Sequence, residues 1–281
     1  MDHDREIVLV TGVSSAIGNA CATLLAKKGF GTYAACRDPA RYEKKADEFF
    51  ELLPMDLSDD SSVTKAVAAL LAKEGKIDHL VFCGEVGLVG SVEGCSIDEA
   101  RNQIEADYLG ALRLIKALLP SMREKGSGRI LILSSLAAKI GLPFVSHYSA
   151  VARGLEALVE SLRIETRPFG IEACSLELGV FRAAFPDSPW TASVQEKEAH
   201  YREAREVLER SSKRIARAAG LGPFAAAKAA CALLGRKRLP GRKSIAPLPV
   251  RIAVLAKRLL PESLFERYVS RLVSRIERKE H

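Results

Sequence analysis

Short apolar runs alternate with segments of helical periodicity through most of the chain, and this alternation is the strongest constraint on its fold. Such runs, separated by amphipathic helices, are typical of parallel strands with helices on both faces of the sheet. Strands are predicted over Ile7–Val10, Gly31–Cys36, Phe50–Pro54, His79–Phe82, Arg129–Leu133 and Ile171–Leu178. Helices are predicted near Ala16–Lys28, Ser61–Glu74, Ile97–Lys125 and Tyr148–Arg167. The predicted fold class is therefore α/β, a doubly wound parallel sheet.

No linker rich in Pro, Gly or Ser divides the pattern, so a single domain is predicted for residues 1–281. Its core is expected at residues 5–185. The pattern changes after the sixth strand, where residues 186–234 are expected to form a helical segment that covers the substrate. Within it, helices are predicted at Ser193–Ala218 and Pro223–Leu234. We expect this segment to cover the substrate because ligands of open α/β sheets bind at the carboxyl ends of the strands.

Residues 235–281 are expected to form a basic amphipathic C-terminal extension. This segment holds 13 Lys and Arg against 4 Asp and Glu, although the net charge of the whole chain is only +7. Apolar residues recur at helical spacing within the predicted helix Pro249–Arg278, at Phe265, Val269, Leu272 and Ile276. Two interpretations stay open: a helix packed on its own domain or a partner subunit, and a basic helix on an anionic membrane surface. Because no stacking aromatics are interleaved, the basic surplus does not indicate nucleic-acid binding.

Composition excludes several other classes of protein. The segment Met1–Glu6 is polar and acidic and lacks the basic and apolar regions of a secretory signal. No run of about 18 uncharged apolar residues is present, so no membrane-spanning helix is expected. The six cysteines are scattered without a CxxC pair, which is typical of reduced core thiols, and no metal site is predicted. A cytoplasmic location is expected.

A glycine-bearing turn, Thr11–Gly18, follows the first predicted strand directly and opens the first predicted helix. Such a turn lets backbone N–H groups at a helix N-terminus approach a pyrophosphate, as in dinucleotide-binding Rossmann sheets. Arg37 follows the second strand, where these sheets select the ribose, and an arginine suits a 2′-phosphate by charge and geometry. The pattern predicts NADP(H) as cofactor, with a solvated surface arginine as the alternative for Arg37.

The turn resembles the nucleotide loop of the short-chain dehydrogenase/reductase family, in the form Thr11-Gly12-x-Ser14-x-x-Ile17-Gly18. Gly126–Ile130, Ser134-Ser135 and Tyr148–Ala150 are similar too, and the resemblance runs from Ile7 to about Phe185. It implies a cofactor site made of Gly12, Ser14, Ile17, Gly18, Arg37, Asp56 and Leu57. For Asp56 the alternative is a turn cap. The resemblance also implies a homodimer or homotetramer, built on the helices Ile97–Lys125 and Tyr148–Arg167.

Hydride transfer in that family uses an Asn, a Ser, a Tyr and a Lys four residues after the Tyr. Ser135 and Tyr148 match this set, thirteen residues apart, whereas the Asn position is Asp107 and the Lys position is Ala152. Residues i and i+4 share a helix face, so the resemblance implies that Tyr148 has lost the cation that lowers its pKa. The implied catalytic residues are Tyr148, Ser135 and Asp107. Lys139 and His147 are candidates for reaching the site from a loop.

The nicotinamide half of the implied cofactor site departs from the family as well. The family's Asn-Asn-Ala-Gly is replaced by Phe82–Glu85, and its Pro-Gly and following Thr by Gly179–Ala183. The middle glycine of the nucleotide loop is Ala16, whose methyl group is expected to crowd or shift the diphosphate without excluding it. Apolar residues near the expected mouth favour an apolar oxygenated substrate: Leu142, Phe144, Val180, Phe181 and Trp190.

Three functions stay open on this sequence. The first is non-redox acid/base chemistry (isomerisation, dehydration or cyclisation), with Tyr148 as acid, Ser135 as oxygen anchor and Asp107 as base. NADP(H) would then be structural or vestigial. The second is an NADPH-dependent carbonyl reductase or alcohol dehydrogenase with a rewired site, in which Lys139 or ordered water replaces the lysine. The third is a non-catalytic cofactor-binding scaffold.

Overall fold

The computed structural model describes residues 5–42, 49–84, 87–141, 143–179, 206, 210 and 220–267. Seven strands form one parallel sheet: β1 (Ile7–Val10), β2 (Gly31–Cys36), β3 (Glu51–Pro54), β4 (His79–Phe82), β5 (Gly128–Ser135), β6 (Ile171–Leu178) and β7 (Arg242–Ile245). Their order is β3-β2-β1-β4-β5-β6-β7. The helices are α1 (Ala16–Lys27), α2 (Asp60–Glu74), α3 (Ile97–Gln103), α4 (Gly110–Lys125), α5 (Ser146–Thr166), α6 (Pro223–Leu234) and α7 (Leu248–Leu259).

The sheet confirms the predicted doubly wound α/β class. Strand β1 pairs in parallel with β2 on one side and with β4 on the other, so the strand order reverses at β1. Open α/β sheets bind ligands in the crevice outside the carboxyl ends of the strands at such a reversal. The glycine turn that follows β1 therefore lies at the expected ligand edge.

Successive residues of the central strands face two separate apolar layers. In β1, Leu9 belongs to the layer covered by α2, α4 and α5, whereas Val10 belongs to the layer covered by α1 and α6. Both side chains are fully buried. A strand buried on both faces reads as a continuous apolar run, which is why β1 and β4 were predictable to the residue.

Two elements from the predicted substrate-covering segment (residues 186–234) and the predicted C-terminal extension (residues 235–281) pack on or join the sheet. Helix α6 buries Ala226, Ala230 and Leu233 in the same layer as Leu25 of α1. Strand β7, which was not predicted, pairs in parallel with β6. The boundary expected at residue 234 therefore does not coincide with the edge of the sheet. The predicted helix Ser193–Ala218 lies outside the described residues, apart from two isolated positions.

The chain is helical throughout the predicted range Ile97–Lys125, but its middle is not α-helical. A π-helical turn over Ile104–Leu109 separates α3 from α4. This wide turn contains Asp107, and π-turns inside helices are frequent at functional sites. The helix α4 begins at Gly110, where an added Cβ would lie 3.0 Å from the Cβ of Leu57, so α4 packs tightly against Leu57 at this position.

The helix predicted over Pro249–Arg278 is interrupted. α7 ends at Leu259 and a further helical turn covers 262–267. Pro261 accounts for the break, because it lacks an N–H and disfavours the helical conformation of the residue before it. Phe265 is 5% exposed, whereas Val269, Leu272 and Ile276 lie outside the described residues. No helix in the described ranges is long and apolar enough to cross a bilayer.

Candidate functional site

The turn between β1 and α1 is shaped by its two glycines. Gly12 has a φ of +68°, in the left-handed region that glycine adopts without strain. A Cβ at Gly12 would lie 2.6 Å from the carbonyl oxygen of Cys83, and one at Gly18 would lie 2.0 Å from that of Gly12. Ser15 caps α1, with its hydroxyl accepting from the Gly18 N–H at 3.0 Å. No side chain fits at these two positions, so the backbone itself is close-packed there.

The same turn fits the diphosphate of a dinucleotide. The N-terminus of α1 faces the crevice, where its N–H groups and the positive end of the helix dipole favour an anion. Ser14 and Ala16 are exposed and Ile17 is partly buried. The methyl group of Ala16 therefore lies at the surface of the turn rather than inside it.

Thr11 fixes the opposite wall of the crevice. Its hydroxyl donates to the Cys83 carbonyl at 3.1 Å and accepts from the Cys83 N–H at 2.9 Å. Thr11 is fully buried, so both hydrogen bonds are shielded from water. Together they hold the chain after β4 beside the glycine turn. The sequence analysis named Thr11 only as the first residue of the glycine motif and did not predict these hydrogen bonds.

Arg37, Asp56 and Leu57 meet at the carboxyl ends of β2 and β3. Arg37 is 71% exposed and its Nε lies 3.6 Å from Asp56 Oδ2. Burial alone would raise the pKa of Asp56, but hydrogen bonds from Ser58 and the charges of Arg37 and Arg113 outweigh it and lower that pKa. Asp56 thus caps the turn at Ser58, as the alternative interpretation expected, and also faces Arg37. Leu57 is partly buried. The exposed guanidinium is accessible to a 2′-phosphate.

The structure brings the three implied catalytic residues together. Ser135 ends β5, Tyr148 lies in the first turn of α5, and Asp107 lies in the π-helical turn. Ser135 and Tyr148 are both partly exposed. Burial of the hydroxyl raises the pKa of Tyr148, a hydrogen bond with Ser135 offsets this in part, and the negative charge of Asp107 raises it further. Tyr148 is therefore a neutral phenol at physiological pH.

Asp107 is 3% exposed and lies at the carboxyl end of β4. A Cβ added to Gly84 would lie 3.2 Å from Asp107 Oδ1, so the carboxylate packs against that backbone. The side-chain amide of Gln103 donates to Asp107 Oδ2, and Gln103 Oε1 accepts from the Leu88 N–H at 2.8 Å. Gln103 is thus a positioning residue for Asp107. Sequence reasoning missed it, although its position four residues before Asp107 was an available signal.

Lys139 is paired with two buried carboxylates. Ala152 is buried one helical turn after Tyr148, and Glu156 follows one turn further on the same face of α5. The ammonium of Lys139 pairs with Glu156 and lies 3.1 Å from Glu177 Oε1. The expectation that Lys139 takes over the role of the missing cation is therefore not supported by its contacts.

Arg153, His147 and Phe144 also lie near the site, and each has a different environment. Arg153 donates to the Ala138 carbonyl at 2.9 Å. His147 buries an Nε2 atom without a hydrogen-bond partner among the described residues. Phe144, at the expected mouth, has a φ of +63°, which is strained for a residue with a side chain. Leu142, Val180, Phe181 and Trp190 lie outside the described residues. In the described ranges, no three His, Cys, Asp or Glu side chains are grouped to hold a metal ion.

Comparison with known proteins defines the class of this chain. The family model described as short chain dehydrogenase matches residues 6–192. Together with the seven-stranded parallel sheet and the glycine turn, this shows that the chain belongs to the short-chain dehydrogenase/reductase family.

Individual relatives are similar to different extents. The chain is 27% identical to a 3-ketodihydrosphingosine reductase from Bacteroides thetaiotaomicron over 265 residues, which cover 93% of this chain and 95% of that protein. It is 35% identical to the human 17-beta-hydroxysteroid dehydrogenase type 1 over 193 residues, which cover 65% of this chain and 58% of the relative.

Solved structures agree with the fold along almost the whole chain. A short-chain dehydrogenase from Streptomyces avermitilis has a TM-score of 0.73 at 27% identity, covering 97% of this chain and 98% of that structure. The NADPH-bound actinorhodin polyketide ketoreductase has a TM-score of 0.73 at 23% identity, covering 87% of this chain and 97% of that structure, which supports the fold alone.

Proposed function

We propose that this chain binds NADP(H) and performs acid/base chemistry without net redox change on an apolar oxygenated substrate. Isomerisation, dehydration and cyclisation are the reaction types that suit its groups. The observation that carries this proposal is the environment of Tyr148. Its pKa is raised by burial and by Asp107, Ala152 is its neighbour one turn along α5, and Lys139 is paired with glutamates elsewhere.

The proposed roles follow from protonation states. An unperturbed tyrosine has a pKa of about 10, so a phenol with a raised pKa donates a hydrogen bond or a proton and does not act as a base. Tyr148 would protonate a substrate oxygen, and Ser135, hydrogen-bonded to Tyr148, would anchor the same oxygen. Asp107 supplies a carboxylate whose charge acts on Tyr148 and is the proposed proton acceptor. Environments that separate an acid from a base in this way are typical of acid/base sites.

NADP(H) is the proposed cofactor because the turn and the arginine fit its two phosphate groups. Gly12, Ser14, Ile17 and Gly18 would hold the diphosphate, and Arg37 the 2′-phosphate. The pair Asp56 and Leu57 would contact the adenine. NADPH supplies a hydride to enzymes that reduce carbonyls, whereas in the proposed chemistry it has a structural role.

We also propose a homodimer or homotetramer built on α4 and α5, and a cytoplasmic location. The assembly is supported by the resemblance to the family, and the location by the scattered cysteines of the sequence. In the fold, the first expected interface helix consists of α3, the π-helical turn and α4, and the second lies almost entirely within α5.

A second candidate is an NADPH-dependent carbonyl reductase. It is favoured by the alignment over 93% of this chain with a protein named as a reductase. In that reaction Tyr148 would protonate the carbonyl oxygen, which again needs the neutral phenol. The absence of a lysine at position 152 would then cost about 10²- to 10⁴-fold in rate, as the loss of a positioned acid–base element does.

The test is a substrate screen with two readouts on each sample. Apolar ketones, enones and hydroxy-ketones are incubated with the purified chain and NADPH, and products are followed by mass spectrometry while NADPH is followed at 340 nm. Non-redox chemistry gives a product of unchanged mass, or one lacking water, at constant NADPH. A fall in NADPH that matches product with two added hydrogens supports the reductase instead.

Three variants separate the hypotheses. Under the non-redox proposal, Tyr148→Phe abolishes turnover while Ala152→Lys leaves it unchanged or lowers it. Under the reductase hypothesis, Ala152→Lys raises turnover with NADPH by orders of magnitude. If Tyr148→Phe and Ser135→Ala both leave the measured activity unchanged, the site assignment is wrong and the scaffold hypothesis gains.

A further inference from the structure

Helix α7 presents a row of large apolar side chains to solvent. Leu248, Ile252, Leu255 and Leu259 recur at intervals of four, three and four residues, which places them on one helix face. Their exposed fractions are 66%, 56%, 54% and 72%. Single exposed leucines are ordinary, but four aligned on one helix form a contiguous apolar patch. We name these four residues the α7 stripe.

The opposite face of α7 is attached to the chain that follows it. Lys257 lies about 170° around the helix from the stripe. Its Nζ is 5.2 Å from the ring centroid of Phe265 and 3.6 Å from Glu262 Oε1. Phe265 is buried. These contacts fix which face of α7 points inward, so the stripe is the outward face.

Two arginines flank the α7 stripe on one side. Arg251 and Arg258 are seven residues apart and lie about 80° around the helix from it. Both are exposed, and neither is in an ion pair with another described residue. The segment Gly235–His281 as a whole carries 13 Lys and Arg against 4 Asp and Glu. An apolar stripe bordered by free cations is typical of helices that lie in the surface of an anionic bilayer.

A second copy of the chain is a weaker candidate for covering the stripe. Stable protein interfaces bury about 1,200–2,000 Å² in total and use roughly 20–30 residues a side. Four side chains on a helix of 12 residues are far fewer. Two stripes facing each other would also bring the arginines of both copies close together, and like charges in contact are unfavourable.

We propose that the α7 stripe docks this chain onto the surface of an anionic membrane. The stripe would enter the boundary between headgroups and acyl chains. The flanking arginines would lay their apolar stems along it and keep their charged ends at the lipid phosphates.

The position of α7 gives this docking a consequence for the candidate site. Helix α7 follows β7 after two residues, and the Gly179 N–H donates to the Ile245 carbonyl at 2.9 Å. α7 therefore starts at the carboxyl edge of the sheet, the edge that also carries Ser135 and Tyr148. Docking would bring this edge to the lipid surface, where an apolar substrate is concentrated. That last step rests on the proposed function, whereas the docking itself does not.

The experiment is cosedimentation of the full chain with vesicles of phosphatidylcholine alone and of phosphatidylcholine with 30% phosphatidylserine. Binding is expected to the second kind only, and to weaken when NaCl is raised from 50 to 300 mM. Ile252→Ser with Leu255→Ser should lower the partition coefficient about ten-fold or more, because each buried apolar side chain contributes substantially. Val92→Ser with Phe49→Ser is the matched control and should change nothing, since both side chains are exposed (71% and 68%) and lie outside α4, α5 and α7.

A charge series completes the test. Arg251→Gln with Arg258→Gln should weaken binding to the anionic vesicles, and Lys65→Gln, on the exposed face of α2, should not. The proposal is overturned if the wild-type chain binds neither vesicle. It is also overturned if the stripe variant binds as the wild type does, or if light scattering shows an oligomer that only the stripe variant dissociates. Tyr148→Phe should bind vesicles normally, so failure of the docking and failure of the proposed reaction are separate results.

Discussion

Replacing Lys139 by Met tests whether this lysine is a structural counter-charge or a free cation near Tyr148. Lys139 is 21% exposed and lies between two carboxylates, those of Glu156 at 9% and Glu177 at 5% exposure. Methionine keeps the length of the side chain and removes the charge. Glu177 would keep Arg242, whose Nε lies 3.4 Å from its Oε1. Glu156 would keep a weak hydrogen bond from the Ser134 hydroxyl at 3.4 Å and the more distant charge of Arg242.

Breaking a buried ion pair by removing one partner costs about 3–5 kcal/mol. Because Arg242 still neutralises Glu177, we expect the lower end, about 3 kcal/mol at pH 7. The assay is urea unfolding followed by far-UV circular dichroism. Lys65→Met, on the exposed face of α2, is the matched control and should cost less than about 0.5 kcal/mol.

The deficit should also depend on pH. Burial already raises the pKa of Glu156, and Lys139 opposes that rise. Without Lys139 the pKa of Glu156 in the folded state rises further above its unfolded value of about 4.3. A carboxyl group with a raised folded pKa destabilises the fold increasingly as pH climbs from the unfolded pKa to the folded one. The deficit of the Lys139→Met variant should therefore shrink between pH 7 and pH 4.5.

Adding Glu156→Gln to Lys139→Met should recover part of the loss, because the uncompensated charge is then removed. A deficit below about 1 kcal/mol at pH 7, or one that grows at low pH, would refute this reasoning. It would mean that Lys139 is not confined by Glu156 and Glu177 and is available to Tyr148.

Three further predictions concern the crevice. Thr11→Val should cost about 1–3 kcal/mol in urea unfolding, because it removes the two buried hydrogen bonds between the Thr11 hydroxyl and the Cys83 backbone. An unchanged midpoint would contradict the bracing role. Asp107→Asn should lower the pKa of Tyr148, since the charge of Asp107 raises it. The measurement is an absorbance titration at 295 nm, from which the titration curve of a Tyr148→Phe variant is subtracted. An increase in the pKa of Tyr148 would contradict the reasoning. Arg37→Ser should weaken NADPH binding about ten-fold or more in calorimetry and leave NADH binding unchanged, and an equal loss for both would argue against 2′-phosphate recognition.

The sequence predicted the first six strands of the sheet and did not predict β7. β1, β2, β4 and β6 match their predicted bounds because strands buried on both faces read as apolar runs bounded by turns. β7 was missed because Arg242, Lys243 and Ser244 are exposed and polar, as suits an edge strand. Only its pairing with β6 makes it a strand, and pairing over such a sequence separation is not a local property.

At the candidate site, too, the sequence predicted local relations between residues but not contacts between distant segments. The family resemblance, with its spacing of thirteen residues, implied that Ser135 and Tyr148 act together, and the two side chains are hydrogen-bonded. The partners of Lys139 were not predictable, since Glu156 lies on α5 and Glu177 on β6. The exposure of the α7 stripe was not foreseen either, because periodicity shows that a helix has an apolar face but not whether that face is covered.

The place of β7 in the sheet decides where this chain tolerates being cut. The change in composition near Gly235 suggests a natural end point for a shorter version. A cut there would remove β7 and expose the β6 backbone that now pairs with it, including the Gly179 N–H that donates to Ile245. An unpaired strand edge is a template for aggregation. Truncated or fused versions intended to stay monodisperse therefore need to keep the residues through Ile245.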